Sequence, residues 1–322
     1  VNDVIDRHRA RVRAADPLAA VAELGDDLIE TGNAVGAPST ATAVPGARSV
    51  HWGPPVIHTL RAAVAGDDPA GALGHLLDRW ISALDAEPGS GLVANWPSRD
   101  TAPVAALARR GFAPRSVLAV RVSPSGPAVR VSSSGPAASR PSASVRPAVA
   151  DDLDTMCRLY LDLIAYEAQF GWISVLPSTP AAARAELEEK LARGDGWCWL
   201  AEQDGEVAGM LSVHHPDHAR SIAPAVEASP VAYVGSLYAR PGSRGRGIGA
   251  ALAGHAHATV AAAGVETVLV HYVAHNPLSV PFWSRQGYRP LVTTWGRWEV
   301  RDDHCQRKTM LPDGRSLLGR GR

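Results

Sequence analysis

Arg244, Gly245, Arg246, Gly247 and Gly249 set the first constraint on chemistry. They fall in the stretch VGSLYARPGSRGRGIGAAL, 234–252. A short apolar run over 234–238 leads into a loop of arginine and glycine and then an alanine-rich run, which reads as strand, loop and helix. A helix N-terminus offers backbone N–H groups without intrahelical partners and the positive end of the helix dipole. The glycines let the backbone turn sharply and approach a ligand closely, and the two arginines add fixed charge. The chemistry such a loop supports is anion binding, above all the cradling of a pyrophosphate. An ordinary strand–helix turn accounts for one glycine, not for three interleaved with two arginines.

A second set of residues could move protons. They are Glu202, at the end of one predicted strand, His214 and His215, after another, and Glu227 and Tyr233, ahead of the apolar run over 234–238. His214 and His215 face opposite ways if their strand continues, and a histidine titrates in the useful range. His214, His215 and His218 lack the i,i+4 spacing and the accompanying carboxylate cluster of a metal site, so no metal is expected.

The elements that must position these groups follow from the pattern. Residues 1–30 carry a loose helical spacing (Ile5, Val12, Leu18, Val21, Leu24, Leu28) interrupted at Pro17. The 31–55 stretch reads as short β-like pieces such as 49–52. Helices follow over 70–84 and 101–110, the latter stopped by Gly111, with strands over 91–95 and 116–122. After 144–147, a short strand, helices are expected over 153–168 (with Asp151 or Asp152 as N-cap) and 179–193. Strands over 197–202 and 207–214 are joined by Asp204-Gly205, a hairpin signal. The helix after the glycine loop runs to Gly264. A strand over 265–273, apolar on both faces, is central. A helix over 277–286 and strands over 291–294, 297–300 and 306–310 close the chain.

The 123–142 stretch, SPSGPAVRVSSSGPAASRPS, holds 13 Ser, Pro or Gly in 20 residues and reads as a linker. The expected organisation is a domain over 1–122, the linker over 123–142, a second domain over 143–311 and a mobile basic tail over 312–322. With Lys+Arg and Asp+Glu at 32 each, nothing favours nucleic acid or an anionic membrane as partner. The uncharged run 247–265 is rich in Ala and Gly and contains His255 and His257, so it reads as a buried helix rather than a membrane span. Three cysteines (Cys157, Cys198, Cys305) without CxxC spacing argue against a disulfide framework. The first 18 residues carry charge throughout and no apolar signal core, so a cytoplasmic protein is expected. Val1 does not establish the true start.

The two halves share a pattern. LVANWPSRDTAPVAALARRGFAP (92–114) and VLVHYVAHNPLSVPFWSRQGYRP (268–290) both read strand, polar turn, helix, then Gly-aromatic-x-Pro. AGALGHLLDRW (70–80) resembles GAALAGHAHAT (249–259). This is the mark of a duplicated unit. Aligning Leu73 with Leu252 puts Ala65, Asp67 and Asp68 where Arg244, Arg246 and Gly247 stand. Carboxylates there repel a phosphate, so the first half is expected to have lost its anion site.

Three kinds of anion-binding loop share features with this stretch. A P-loop requires GxxxxGK[ST], and no such lysine is present. Gly245-x-Gly247-x-x-Ala250 satisfies the short dinucleotide fingerprint, but the next strand ends near 271–273 with Glu266 at its beginning rather than an acid at its end. Arg244-x-x-Gly247-x-Gly249 matches Arg/Gln-x-x-Gly-x-Gly/Ala. Here the chain resembles the GCN5-related N-acetyltransferases (GNAT). VRPAVADDLDTMCRLY (145–160) is similar to that family's first strand and helix. AEQDGEVAGMLSV resembles its second and third strands. NPLSVPFWSRQGYRP (276–290) resembles its Asn-x-x-Ala-x-x-Phe-Tyr-x-x-x-Gly-Phe segment, with Ser279 at the Ala position. The first half then resembles a second, decayed unit of a tandem arrangement.

The resemblance implies an α/β (α+β mixed) fold of two GNAT-like units, each a mixed, mostly antiparallel central sheet flanked by helices. It implies acetyl-CoA or another acyl-CoA as co-substrate and no metal. Backbone groups of Leu237, Tyr238 and Ala239 would pair with the pantetheine arm. Arg244, Gly245, Arg246, Gly247, Ile248, Gly249 and Ala250 would hold the pyrophosphate, with Asn276 and Trp283 also near the cofactor. The implied reaction is direct attack of an amine on a thioester, which requires a neutral amine, a stabilised oxyanion and a proton for the leaving thiolate. Glu202, His214, Tyr233 and Ser279 are the candidate catalytic groups. Trp283 stands where the family often has tyrosine, and an indole supplies no useful proton. Tyr288 is a further candidate acid or a core aromatic. Tyr166, Phe170 and Trp172 would line a pocket for the acceptor, a small-molecule or peptide amine. The expected assembly is a monomer or homodimer. The alternative is a non-catalytic acyl-CoA-binding sensor or scaffold.

Overall fold

The computed structural model describes residues 1–44, 46–47, 51–123, 143–194 and 197–298. In chain order the elements are α1 (Asn2–Ala15), β1 (Ile29–Thr31), β2 (Ala34–Thr42), β3 (Val56–Val64), α2 (Pro69–Ala83), β4 (Gly91–Pro97), α3 (Val104–Ala108) and β5 (Ala113–Val122). Then come β6 (Ser144–Pro147), α4 (Leu153–Ala168), α5 (Thr179–Ala192), β7 (Cys198–Gln203), β8 (Glu206–His214), β9 (Val231–Ala239), α6 (Ile248–Ala262), β10 (Thr267–Val273), α7 (Ser279–Arg285) and β11 (Arg289–Trp298).

All 11 strands form one sheet in the order β1-β2-β3-β4-β11-β5-β10-β9-β8-β7-β6. The pairs β3–β4 and β9–β10 are parallel. The other pairs are antiparallel, so the sheet is mixed and mostly antiparallel, as the sequence implied. The order reads alike from both ends towards a seam between β5 and β11, apart from the extra edge strand β6. The registers agree residue by residue. β4 pairs with β11 from Gly91↔Trp298 to Pro97↔Val292, and β10 pairs with β5 from Thr267↔Val122 to Val273↔Ser116. One constant shift in numbering, the one that carries Gly91 to Thr267 and Ala113 to Arg289, converts either list into the other. The seam maps onto itself under that shift, with Arg289↔Val120 at one end and Gly296↔Ala113 at the other. β5, from the first half, lies between β10 and β11. β11, from the second, lies between β4 and β5.

Alternation along the strands buries two layers. Ala232 and Val234 of β9 with Val117 and Ala119 of β5 pack under α6. On the same face of the first half, Leu60, Leu92 and Ala94 pack under Leu73, Leu76, Leu77 and Trp80 of α2. The intervening residues, Val231, Leu118, Val120 and Leu269, point to the opposite face and meet Val12 of α1. On that face α4 and α5 cover Leu200, Met210 and Tyr238. No helix among the described residues is long and apolar enough to cross a membrane.

Several expectations need correction. The helix over 1–30 ends at Ala15, because Asp16 turns outward from the helix, accepts the Leu18 N–H at 3.1 Å and pairs with Arg289, and Pro17 follows. β3 leaves no clear signal in the sequence, because His58, Thr59 and Arg61 break the apolar pattern, although the strand is held by β2 over its full length. The short pieces over 31–55 are largely one nine-residue strand, β2. The strands expected over 291–294 and 297–300 are one strand, bent by two register shifts, as far as Trp298. Asp152 directs its carboxylate to the Val149 N–H (2.8 Å) and Arg146 rather than to the first turn of α4. Ser49 and Val50, the linker beyond Ser123, the strand over 306–310, Cys305 and the tail over 312–322 lie outside the described residues. Cys157 and Cys198 are both buried.

Candidate acyl-CoA site

β9 runs beside β10 only from Val231↔Thr267 to Val234↔Val270. Beyond that point both strands continue and diverge. β9 keeps its other edge on β8 through Ser236↔Ser212, Leu237↔Leu211, Tyr238↔Met210 and Ala239↔Gly209. The register shift at Ser212/Val213 leaves Gly235 as an extra residue, a bulge placed where the pairing with β10 ends. Backbone groups of Leu237, Tyr238 and Ala239 on the β10 side therefore have no partner in that strand. This is the edge the sequence assigned to an added extended chain.

The loop from β9 to α6 has the conformation the glycines allow. Gly245 has φ +75° and Gly247 has φ +89°, a left-handed region that strains any side-chain-bearing residue. Gly247 is the N-cap of α6, and no side chain caps the helix. The first-turn N–H groups are thus available to an anion. Gly249 lets α7 come close, since a Cβ there would stand 3.1 Å from the Phe282 ring. Arg244 donates to the Ala239 carbonyl at 3.3 Å and lies over the Tyr166 ring at 4.8 Å and the Tyr238 ring at 5.7 Å. Arg246 reaches Gln203 Oε1 at 3.3 Å and Asp204 at 3.6 Å. The donor set, two guanidinium groups and an uncapped helix end, suits a pyrophosphate.

On the opposite face of the sheet, ionisable groups gather at the bulge. A Cβ on Gly235 would stand 2.8 Å from His214 Nε2 and 3.0 Å from Lys190 Nζ. Lys190 Nζ donates to Glu186 Oε1 at 2.7 Å and to Ser212 Oγ at 3.2 Å, and Ser212 shares a 2.8 Å hydrogen bond with Ser236. Tyr160 donates to the other Glu186 oxygen at 3.0 Å. Burial alone would raise the Glu186 carboxyl, but the Lys190 charge and the hydrogen bonds from Lys190 and Tyr160 hold it below its ordinary value. Burial, reinforced by Lys190, pushes the His214 imidazole down to about 3, so it is neutral at pH 7. The Tyr233 ring packs 5.5 Å from His214, and its hydroxyl meets His271 Nδ1 at 3.2 Å. Burial raises the Tyr233 phenol well above its usual range.

The remaining predicted residues are dispersed. Glu202 is tied to Arg146 at 2.6 Å where the edge strand β6 meets β7. Asn276 is buried; its Nδ2 donates to Glu167 Oε1 at 2.6 Å, and its Oδ1 accepts the N–H groups of Leu278 and Ser279. Ser279 Oγ is buried with no hydrogen-bond partner. Trp283 packs edge-on against Phe282 and Tyr288 in the core under α6. Tyr288 shares a 2.9 Å hydrogen bond with His257. His215 packs on Trp197 and pairs with Asp217, and Glu227 is exposed. Tyr166 and Phe170 are neighbours at 5.7 Å, beside Arg244. Trp172 lies apart from them, edge-on to Trp298 and close against Gly91 and Gly296.

Tyr160, Glu186, Lys190, Ser212 and Ser236 are not among the site residues expected from the sequence. A signal was present. Glu186 and Lys190 fall at helical spacing with Ala183 and Leu187, inside the stripe of α5 that must be buried.

A family model described as Acetyltransferase (GNAT) family matches residues 165–288, from the last turns of α4 to the end of the α7 turn. The second half of the chain carries a GNAT domain. A GNAT protein from Sphaerobacter thermophilus is similar in fold over 84% of this chain and 78% of its own, with 15% identity and a TM-score of 0.52. A predicted acetyltransferase from Clostridium acetobutylicum, solved with acetyl-CoA, covers 46% of this chain and 90% of its own, with 15% identity and a TM-score of 0.35. A tandem GNAT protein from the clavulanic acid biosynthesis pathway covers 77% of this chain and 76% of its own, with 14% identity and a TM-score of 0.38. No curated protein matches the chain. GNAT domains serve acyl-CoA-dependent acetyl transfer, and the glycine loop and diverging strands described above lie inside the matched residues. Among the described residues there is no group of three or more His, Cys, Asp or Glu side chains placed to hold a metal.

Proposed function

We propose that the chain is an N-acetyltransferase that moves an acetyl group from acetyl-CoA to a primary amine in its second half. The observation that carries this reading is the uncapped, glycine-opened N-terminus of α6 beside the point where β9 and β10 part. Arg244, Arg246 and the N–H groups of Ile248, Gly249 and Ala250 would hold the pyrophosphate. Leu237, Tyr238 and Ala239 would hydrogen-bond the pantetheine arm. Asn276, locked by Glu167, would fix the turn into α7 rather than contact the cofactor with its amide.

In the reaction the amine nitrogen forms a bond to the thioester carbonyl carbon and the carbon–sulfur bond breaks. One proton leaves the nitrogen and one is gained by the sulfur. Of the candidate catalytic groups, His214 and Tyr233 lie at the bulge, and the neutral His214 imidazole offers a nitrogen lone pair to a proton. Glu202 is bound up with Arg146 at the sheet edge, which favours His214 over it as base.

We further propose that the first half is a diverged GNAT-like unit without cofactor, with the boundary falling in 123–142. The constant register shift supports common ancestry. The test is calorimetric titration with acetyl-CoA, followed by thiol release with a panel of amines. One bound acetyl-CoA and amine-dependent thiol release are expected. Binding without release for every amine would favour a sensor, and no binding would remove the basis of the reading.

A further inference from the structure

A cavity of 250 Å³ lies at the seam between the halves, on the face of the sheet that bears α1. Its floor is made of residues related by the constant register shift: Asn95 of β4 with His271 of β10, and Leu118 of β5 with Thr294 of β11. Two loops cover it, one on each side of the isolated bridge Ala19↔Val226. Neighbouring strands stand about 4.8 Å apart, so the floor from β4 to β10, with β11 and β5 between, spans about 14 Å. The floor crosses four strands, and Val21, Leu24 and Ile222 are among the apolar residues of the walls.

Its two ends differ. At one end His271 directly follows Val270, the last residue of β10 paired with β9. From His271 the hydrogen bond to Tyr233, and the packing of Tyr233 on His214, lead to the Gly235 bulge. His271 shows accessible surface because it opens onto this chamber; the surrounding protein still depresses its imidazole to about 4 and keeps it neutral. At the other end stands Arg61 of β3, on the strand face that points into the cavity. Among the described lining residues there is no Asp or Glu, His8 is likewise held neutral by burial, and Arg61 is the one charged side chain. A polyamine would find no counter-charge there. An anion would find one, at the end far from the bulge.

We infer that this cavity is the acceptor site and that the acceptor is an amphipathic amino carboxylate: amine at the His271 end, apolar chain across Leu118 and Thr294, carboxylate at Arg61. This rests on the acetyltransferase reading. An extended peptide covers at most about 3.6 Å per residue, so a tripeptide, or the comparable extended chain of roughly eight carbons, covers about 10 Å of this floor and leaves the rest to the Arg61 and His271 side chains at its ends.

The test uses 8-aminooctanoate and octylamine as probes and the full chain with two variants, Arg61→Glu and Thr294→Trp, both at partly or fully exposed positions. Direct calorimetric titration without acetyl-CoA is expected to show one 8-aminooctanoate per chain. Arg61→Glu should weaken it tenfold or more, and Thr294→Trp should abolish binding by filling the cavity. Octylamine should bind at least tenfold more weakly than 8-aminooctanoate and be indifferent to Arg61→Glu. Unchanged melting temperatures keep both variants interpretable. With acetyl-CoA added, KM for 8-aminooctanoate should rise in step with the loss of binding. Absence of binding to the wild type, or binding indifferent to both substitutions, overturns the proposal. Binding that follows the variants without thiol release, while other amines of the panel do release thiol, overturns the cavity as acceptor site; absence of thiol release with every amine overturns the acetyltransferase reading instead.

Discussion

The N-termini of α2 and α6 occupy equivalent places on the two halves and end in opposite chemistry. α2 is capped by Asp68, whose carboxylate accepts the Gly71 N–H at 2.8 Å, and Pro69 removes another donor from the first turn. α6 is preceded by Gly247 and capped by nothing. One scaffold has satisfied its helix end internally, and the other has left it open. A capped N-terminus is the more stable local solution by about 1 kcal/mol, so leaving α6 open carries a cost that anion binding can offset. The next turn shows the same divergence. Asp100 and Asn276, matched by the register shift, are both held from the opposite face, by Arg11 of α1 and by Glu167 of α4 respectively.

The largest expected effect comes from the helices of that opposite face. Lys190 and Glu186 form a buried ion pair in α5. Lys190→Met leaves Glu186 unpaired and should lower the unfolding free energy by about 3–5 kcal/mol in urea denaturation, with more than half restored by adding Glu186→Gln. Next comes the transplant of the first half's acid into the second. Gly247→Asp combines a strained φ with a carboxylate at the anion site and should weaken acetyl-CoA by about 100-fold, or about 2.7 kcal/mol, in calorimetry. An unchanged affinity would show that the open helix end is not what binds. Arg244→Ala should cost about tenfold, or about 1.4 kcal/mol, by the same measurement. Asp68→Ala should lower stability by about 1 kcal/mol while the acetyl-CoA stoichiometry stays at one per chain; two bound molecules would mean that the cap alone kept the first half from binding.

A graded effect should appear with pH. His8 is buried and held at about 4, first by desolvation and then by the Arg11 charge, against an ordinary value of 6.5. The unfolded chain binds that proton more readily, so the stability from neutral His8 is complete above pH 6.5 and is lost as pH falls towards 4. Thermal melts over that range should show the decline, and His8→Gln should make it shallower.

The glycine loop, the 204–205 hairpin and the paired strand–helix segments were legible in the sequence because each rests on local chemistry: positive φ, turn residues, apolar period. The interleaving of β5 and β11 was not, since register between distant strands leaves no local trace. Nor was the separation of Trp172 from Tyr166 and Phe170. A shared turn does not fix which side of a sheet a ring falls on, and Gly91 and Gly296 have left room for Trp172 on a distant pair of strands. The cluster at Gly235 stayed hidden for a related reason. Its members come from α4, α5, β8 and β9, and only the fold brings them to one bulge.

The interleaved seam also bears on how the polypeptide is made. When the ribosome has released residues 1–123, β4 still lacks the neighbour that β11 will provide, and β5 lacks both of its own. Three strand edges then wait, open to other nascent chains, until translation reaches Trp298. Cutting the gene between the halves would therefore yield two sticky fragments rather than two independent domains, and the fragments would regain solubility by finding each other.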